Sequence, residues 1–304
     1  MENRNLLQYA FVTLKGMAMG AADVVPGVSG GTIAFISGIY EELITSINNV
    51  NLSLFKTWKK NGFKAAWTQL NGNFLLALFL GIFISLFSLA TLVSWLLENE
   101  PILLWSFFFG LVVASVFFVG KEIENWTIVT SIALLIGAAI AYYITTLPPS
   151  GNSESLPYLF LSGALAVCAM ILPGISGAFI LVLLGSYKTI LDAVHERNIT
   201  LIAVVGAGAI FGLLSFAKLL KWMFNNHKDI TLAVLTGFIL GSLNKIWPWK
   251  RILETRTIGE KEIIIDENVS PFAFEGDNQL IYALIVAIIG FSLIFILERT
   301  ASKK

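Results

Sequence analysis

A chain of 304 residues that is 56% hydrophobic and only 13% charged, with a mean hydropathy of +0.79, is composed for a membrane. Its 20 basic residues balance its 20 acidic ones, and no basic cluster with interleaved aromatics occurs, so nucleic acid is not an expected partner. A single cysteine, Cys168, excludes an internal disulfide and, set in an apolar run, reads as a small packing residue.

The first apolar run starts at Leu6, behind Arg4, and reaches small residues at Gly20 to Ala22, a pattern that secretory signals share. The same kind of segment recurs from Tyr158 to Leu172, so both are read as parts of the mature fold. Each run leads into a breaker-rich hexad, Pro26-Gly27-Val28-Ser29-Gly30-Gly31 and Pro173-Gly174-Ile175-Ser176-Gly177-Ala178. Proline and glycine interrupt a helix, and backbone groups freed at membrane depth are tolerated only inside protein or along a cavity. Leu6 to Ile47 as one helix would run roughly 60 Å, about twice the bilayer core, so the segment must fold back. Arms of about 15 residues favour a re-entrant hairpin with Pro26 to Thr32 at its tip; two complete helices with a tight turn are the alternative.

A polar, lysine-bearing loop follows from Asn48 to Asn73. Ordinary spans are expected near Phe74 to Leu97, Ile102 to Val119, Trp126 to Leu147, Leu201 to Phe224, Ile230 to Ile246 and Leu280 to Leu297, with a second hairpin over residues 158–190. Pro26 and Pro173 are 147 residues apart, and at that offset Gly38 falls on Gly185, Tyr40 on Tyr187 and Leu43 on Ile190. Further along the offset is 127, pairing Ser88 with Ser215, Trp95 with Trp222, Asn99 with Asn226, Gly110 with Gly237 and Ser115 with Ser242. The chain therefore divides into repeats over residues 1–150 and 151–304.

Lysine placement orients the repeats. Lys56, Lys59, Lys60 and Lys64, without an acidic residue between Asn48 and Asn73, mark that loop as cytoplasmic, and Arg4 and Lys15 put the N-terminus there. Counting spans puts Glu98, Glu100 and Pro148 to Pro157 outside, and Lys121, Lys221, Lys228, Lys303 and Lys304 inside. Three crossings separate the hairpins, so the second enters from the opposite face. The expected fold is an all-α polytopic membrane protein of two inverted-topology repeats, each a re-entrant Pro-Gly-broken helical hairpin plus three transmembrane helices. The remaining loop, Asn244 to Gln279, is external; its Thr255 to Ile265 stretch forms either a small β-hairpin or a merely solvated connection.

In such a pair both tips reach mid-membrane, where the half-helices that follow begin with unpaired N–H groups that suit an anion. Gly27, Gly30, Gly31, Gly174 and Gly177 let the backbone approach a phosphate, and the hydroxyls of Ser29, Thr32 and Ser176 add donors without charge. Pro26 and Pro173 make the breaks. The competing reading has Ser29 and Ser176 capping the following helices and the glycines serving close packing. Asp23 is an ionisable residue inside a span whose repeat-mate is Met170, which makes it the candidate site for a coupling H⁺ or Na⁺; the structural alternative is a bond to local backbone at the break. Glu41 and Glu42 read as a solvated helix end, and Lys15, Lys218 and Lys245, towards span ends, as snorkelling side chains. His195 and His227 lie in loops and nothing has metal-ligand spacing, so no metal and no other cofactor is expected. Pro149-Ser150-Gly151 lacks a histidine nucleophile nearby, and no Walker A loop occurs.

The stretch Ala21-Ala22-Asp23-Val24-Val25-Pro26-Gly27-Val28-Ser29-Gly30-Gly31-Thr32, with Gly38-Ile39-Tyr40-Glu41 after it and Leu172-Pro173-Gly174-Ile175-Ser176-Gly177 in the second half, resembles the bacterial undecaprenyl-phosphate translocase family. That resemblance spans nearly the whole chain. It implies a multi-pass protein of the bacterial inner membrane that returns undecaprenyl phosphate, the lipid carrier of cell-wall precursors, from the outer to the cytoplasmic leaflet, with membrane lipids as its surroundings. Ala178 and Phe179 depart from the first copy's Gly31 and Thr32. A transporter or channel for a small soluble anion is the alternative, since the same tips suit chloride or phosphate. An enzyme acting on lipid phosphates would need a nucleophile and an acid/base group at one tip, where only Asp23 is available.

Overall fold

The structure, a computed structural model, describes residues 4–25, 28–148, 155–258 and 261–301. It is a helical polytopic membrane protein with one β-hairpin. The first arm, α1 (Leu6–Val24), starts at Asn5, whose side chain accepts from the Gln8 N–H while Gln8 bonds back in a capping box. After the break come two short helices, α2 (Gly30–Ile36) and α3 (Tyr40–Asn48), separated by Gly38 at φ +71°. Then follow α4 (Leu52–Leu70), α5 (Gly72–Asn99), α6 (Pro101–Lys121) and α7 (Ile128–Thr146). The second half runs through α8 (Leu156–Ile171), α9 (Gly177–Leu183), α10 (Tyr187–His195), α11 (Ile199–Asn226), α12 (Lys228–Ser242), strands β1 (Lys250–Ile258) and β2 (Lys261–Asn268), and α13 (Leu280–Ala301).

Among the described residues four helices are individually long and apolar enough to cross a membrane, α6, α7, α11 and the Gly72–Leu89 part of α5. The pair α9 and α10 bends by 106° at its break.

Residues at the repeat offsets share local geometry. Gly185 has φ +66°, close to Gly38, and behind each glycine an N–H reaches five residues back, Ile39 to the Ala34 carbonyl and Ser186 to that of Leu181. The carbonyl just before each break is held from the first arm, Ser37 by the Lys15 ammonium at 2.6 Å and Leu184 by the Tyr158 hydroxyl at 2.7 Å. Asn99 and Asn226 each donate to the carbonyl four residues back, those of Trp95 and Trp222, both at 2.8 Å. The next residues, Glu100 and His227, carry nearly the same backbone angles, φ −135°, ψ 51° and φ −143°, ψ 54°.

Glycines bring the long helices together. Gly16 and Gly20 of α1 lie on the carbonyls of Leu78 and Ile82 in α5, and Gly208 and Gly212 of α11 lie on those of Phe160 and Ala164 in α8. Both are small-xxx-small pairs, a membrane packing signal that the reading for breaks passed over. The remaining pairings cross between the halves: α12 packs on α7 through Gly237 and Gly241, and α6 packs on α13 through Gly110 and Gly290.

Four expectations change. The stretch expected as a loop from Asn48 to Asn73 is largely helical, kinked at Gly62 (φ +80°), with Asn51 accepting from the Ser53 and Leu54 N–H groups as its cap. Exposed Phe55, Trp58 and Phe63 lie among its lysines, so the polar composition conceals an apolar contribution. The span expected to reach Ile246 stops at Ser242, where i→i+3 bonds from Lys245 and Ile246 tighten the chain ahead of Pro248, which disfavours helix at Trp247. A β-hairpin forms in the loop before the last helix and is longer than Thr255 to Ile265, pairing Lys250 with Asn268 at its open end. Glu42 is no solvated helix end: it takes both guanidinium nitrogens of Arg4 and the Asn71 amide at 2.8 Å, tying the N-terminus, α3 and the entry to α5 together.

Candidate functional site

The two tips touch one another. Ser29 donates to the Leu172 carbonyl at 3.3 Å, and the Gly174 N–H donates to the Thr32 hydroxyl at 2.9 Å. Gly31 lies so close to the second tip that a Cβ there would stand 2.7 Å from the Ile171 carbonyl oxygen and 2.9 Å from that of Met170. Glycine is needed at that crossing because no side chain fits between the two backbones.

Asp23 occupies one of the first tip's donors. Its Oδ1 accepts from the Gly30 N–H at 2.7 Å, and Ser29, as N-cap, accepts from the Gly31 N–H at 3.1 Å. The backbone bonding expected as the alternative for Asp23 is therefore present, and so is the cap expected as the alternative for Ser29. Asp23 nevertheless keeps an exposed face, as does its repeat-mate Met170. Pro26 and Gly27 lie outside the described residues.

The second tip is built differently. Gly174 sits at φ +89°, and a Cβ on it would come 2.7 Å from the Ser242 hydroxyl and 2.9 Å from the Phe238 carbonyl oxygen, so this tip rests on the end of α12. Pro173 and Gly174 are buried; Ser176 is half-exposed and makes no side-chain cap bond to α9. Gly177 packs on Met170 and the Ala166 carbonyl. The half-helices differ in the same sense: α2 is buried from Gly30 through Phe35, whereas in α9 only Gly177 is. The first tip is enclosed and the second opens to one side.

Of the cations considered from sequence, Lys15 is drawn to the C-terminal end of α2, where its charge complements the helix dipole. Lys218 is exposed on α11. Lys245 approaches the second tip, its ammonium 5.5 Å from the centre of the Phe179 ring, so the residue that replaces Thr32 in the second copy carries a cation over its face. Among the described residues no cluster of three or more metal-ligating side chains occurs. Sequence reasoning missed Phe238 and Ser242, which seat the second tip; the only signal was the pairing of Ser242 with Ser115.

Thr32 carries the contact between tips through a buried hydroxyl. Thr32→Val keeps the shape and strands the Gly174 N–H, which costs about 1–3 kcal/mol. Thermal unfolding of the detergent-purified variant is expected to show that loss, and Thr32→Ser to recover most of it.

Two broken helical segments that meet inside a helical bundle are an architecture of membrane transporters. The comparisons agree: residues 19–264 match the family model described as undecaprenyl phosphate translocase-like, and the chain belongs to that family. It is 46% identical over 303 residues to a polyprenyl-phosphate transporter of Vibrio cholerae serotype O1, covering 98% of both chains. A polyprenyl-phosphate transporter of Staphylococcus aureus is 33% identical over 254 residues, covering 77% of this chain and 85% of that one. No solved structure matches.

Proposed function

We propose that this chain carries undecaprenyl phosphate from the outer to the cytoplasmic leaflet of the bacterial inner membrane, by alternating access between two inverted repeats, residues 1–150 and 151–304. The observation that carries the reading is the contact of the two tips beside Asp23. A lipid phosphate needs a path only for its head, because the prenyl tail stays in hydrocarbon. The exposed faces of Asp23 and Met170 would let a prenyl tail stay in the bilayer beside the tips, and this supports a lipid over the small soluble anion that the tips alone would also suit.

Inverted topology is supported by which loops touch. Asp229, at the start of α12, accepts from the Glu124 and Asn125 N–H groups ahead of α7, and Gln279, ahead of α13, reaches Glu100 at 3.5 Å. Each contact joins loops that the lysine distribution puts on one side, the first inside and the second outside.

Coupling then has a simple form. A carboxylate on the Gly30 N–H repels an arriving phosphate; an H⁺ or Na⁺ on Asp23 removes that repulsion and weakens its hold on the donor, so that a phosphate oxygen can compete for it. Gly30, Gly31, Ser29 and Thr32 from one side, with Gly174, Ser176 and Gly177 from the other, would then line the head group's route.

The test uses the purified protein in liposomes with fluorescent undecaprenyl phosphate in one leaflet and an imposed proton or sodium gradient. Protein-dependent loss of leaflet asymmetry is expected, and Ser29→Ala should reduce it. Unchanged asymmetry together with uptake of radiolabelled phosphate or chloride would overturn the lipid reading in favour of a soluble anion.

A further inference from the structure

Beyond the tips, two lysines converge on one carboxylate where the β-hairpin meets the bundle. Lys250 donates to Asp266 at 3.2 Å and to the Lys245 carbonyl at 2.8 Å, and Lys245 stands 3.8 Å from the same carboxylate. The Lys250 side chain is 12% exposed and those of Asp266 and Lys245 19% and 25%, so the group is sheltered yet reachable. Burial pushes the Lys250 ammonium below its ordinary range and Lys245 adds to that, with Asp266 opposing. Both ammonium groups lie over aromatic faces, Lys250 at 5.1 Å above Trp105 and Lys245 above Phe179.

The placement ties this cluster to the second tip. Lys245 follows Ser242 by three residues, and Ser242 is the residue on which Gly174 rests; Phe179 belongs to the half-open α9. From the other side, Asn268 at the end of β2 donates to the Asn244 carbonyl at 2.7 Å and holds the turn that carries Lys245. The cluster has one more positive than negative charge. At 3.8 Å, Asp266 is a Coulombic neighbour of Lys245 and not its hydrogen-bond partner.

We propose that Lys245 and Lys250 form an outer-face receiving site for a phosphate monoester, in which the Asp266 carboxylate holds the anion's place until the ligand displaces it. This rests on the transport reading for its place in a cycle, though not for its chemistry. A phosphate brings up to two negative charges and three acceptor oxygens where the carboxylate brings one charge and two oxygens, so the exchange favours the ligand. The rings of Trp105 and Phe179 beneath the two ammonium groups suit the first carbons of a hydrocarbon tail. From this site the head is one helix end away from the second tip.

The experiment is calorimetric titration of the full chain in nanodiscs with farnesyl phosphate, with inorganic phosphate, and with farnesol, alongside leaflet translocation by the same variants. Asp266→Asn, which keeps both lysines and removes their competitor, is expected to tighten farnesyl phosphate by about tenfold, and Lys245→Gln and Lys250→Gln to weaken it by about tenfold or more. Farnesol should not bind. Inorganic phosphate binding as tightly as farnesyl phosphate would uphold the phosphate site and overturn a contribution from the tail. If Lys245→Gln or Lys250→Gln fails to fold, Asp266→Asn decides alone. Unchanged affinity in Asp266→Asn, with normal translocation, overturns the site and leaves the transporter standing. The expected affinity pattern without any translocation by the wild type overturns the transport reading and leaves the site.

Discussion

Asp23→Asn is expected to lower translocation of lipid phosphate by roughly 10- to 100-fold, and the residual rate should no longer respond to a proton or sodium gradient. The substitution separates the local bond that Asp23 makes from its proposed coupling role. Asparagine still offers Oδ1 to the Gly30 N–H, so the bond that closes the first tip persists and the protein should fold and melt nearly as the wild type does. What disappears is a charge that a cation can neutralise. Hydrogen bonds to a charged group are worth about 1.5–3 kcal/mol, which sets the size of the effect on a cycle that must make and break one. Asp23→Ala removes the bond as well and should cost ~1 kcal/mol of stability, in the range of a lost helix cap. A fully active, gradient-responsive Asp23→Asn protein would reduce Asp23 to a local cap and sink the coupling role.

Gly174→Ala is expected to be the most damaging small substitution at the tips. Two penalties coincide there. At φ +89° an L side chain is strained, by about 1–2 kcal/mol, and the added methyl would press on the Ser242 hydroxyl and the Phe238 carbonyl, where overpacking typically costs ~1–3 kcal/mol more. The tip can relieve the clash only by lifting off α12, which stretches the bond from the Gly174 N–H to Thr32. Gly38→Ala isolates the first penalty, because Gly38 has φ +71° with nothing within 4 Å of its missing Cβ. Unfolding midpoints and translocation rates for both variants give the comparison: Gly174→Ala should lose stability and transport together, and Gly38→Ala a smaller part of stability. Equal losses would mean that the second tip does not need its seat on α12.

Much of this was legible because breaks in a membrane helix are conspicuous. The two hexads, the offsets of 147 and 127, and the lysine placement come from residue types that hydrocarbon makes expensive or rare, and the matched angles at Gly38 and Gly185 lie where the first offset puts them. Asp23 stood out for the same reason. What stayed hidden depends on distances between segments. That Thr32 meets Gly174 across 142 residues, that Asp23 takes the Gly30 N–H, and that Phe179 lies beneath Lys245 cannot be read from one position and its neighbours. The helix α4 was hidden by composition: lysines dominate its average, while Phe55, Trp58 and Phe63 supply the apolar surface. Glu42 was underestimated because its partners, Arg4 and Asn71, lie 38 and 29 residues away.

The crossed pairing of α6 with α13 and of α7 with α12 makes the halves interlocked, as two hooks are, and not stacked side by side. Neither half can finish its own tertiary structure on the ribosome: α6 and α7 emerge with their glycine faces bare, α7 waiting for α12, which starts 82 residues after α7 ends, and α6 for α13, which starts 159 residues after α6 ends. Assembly of the first half is thus held open until the last helix is made. A chain cut within residues 149–154 should yield two fragments that are each degraded when expressed singly and accumulate only when expressed together.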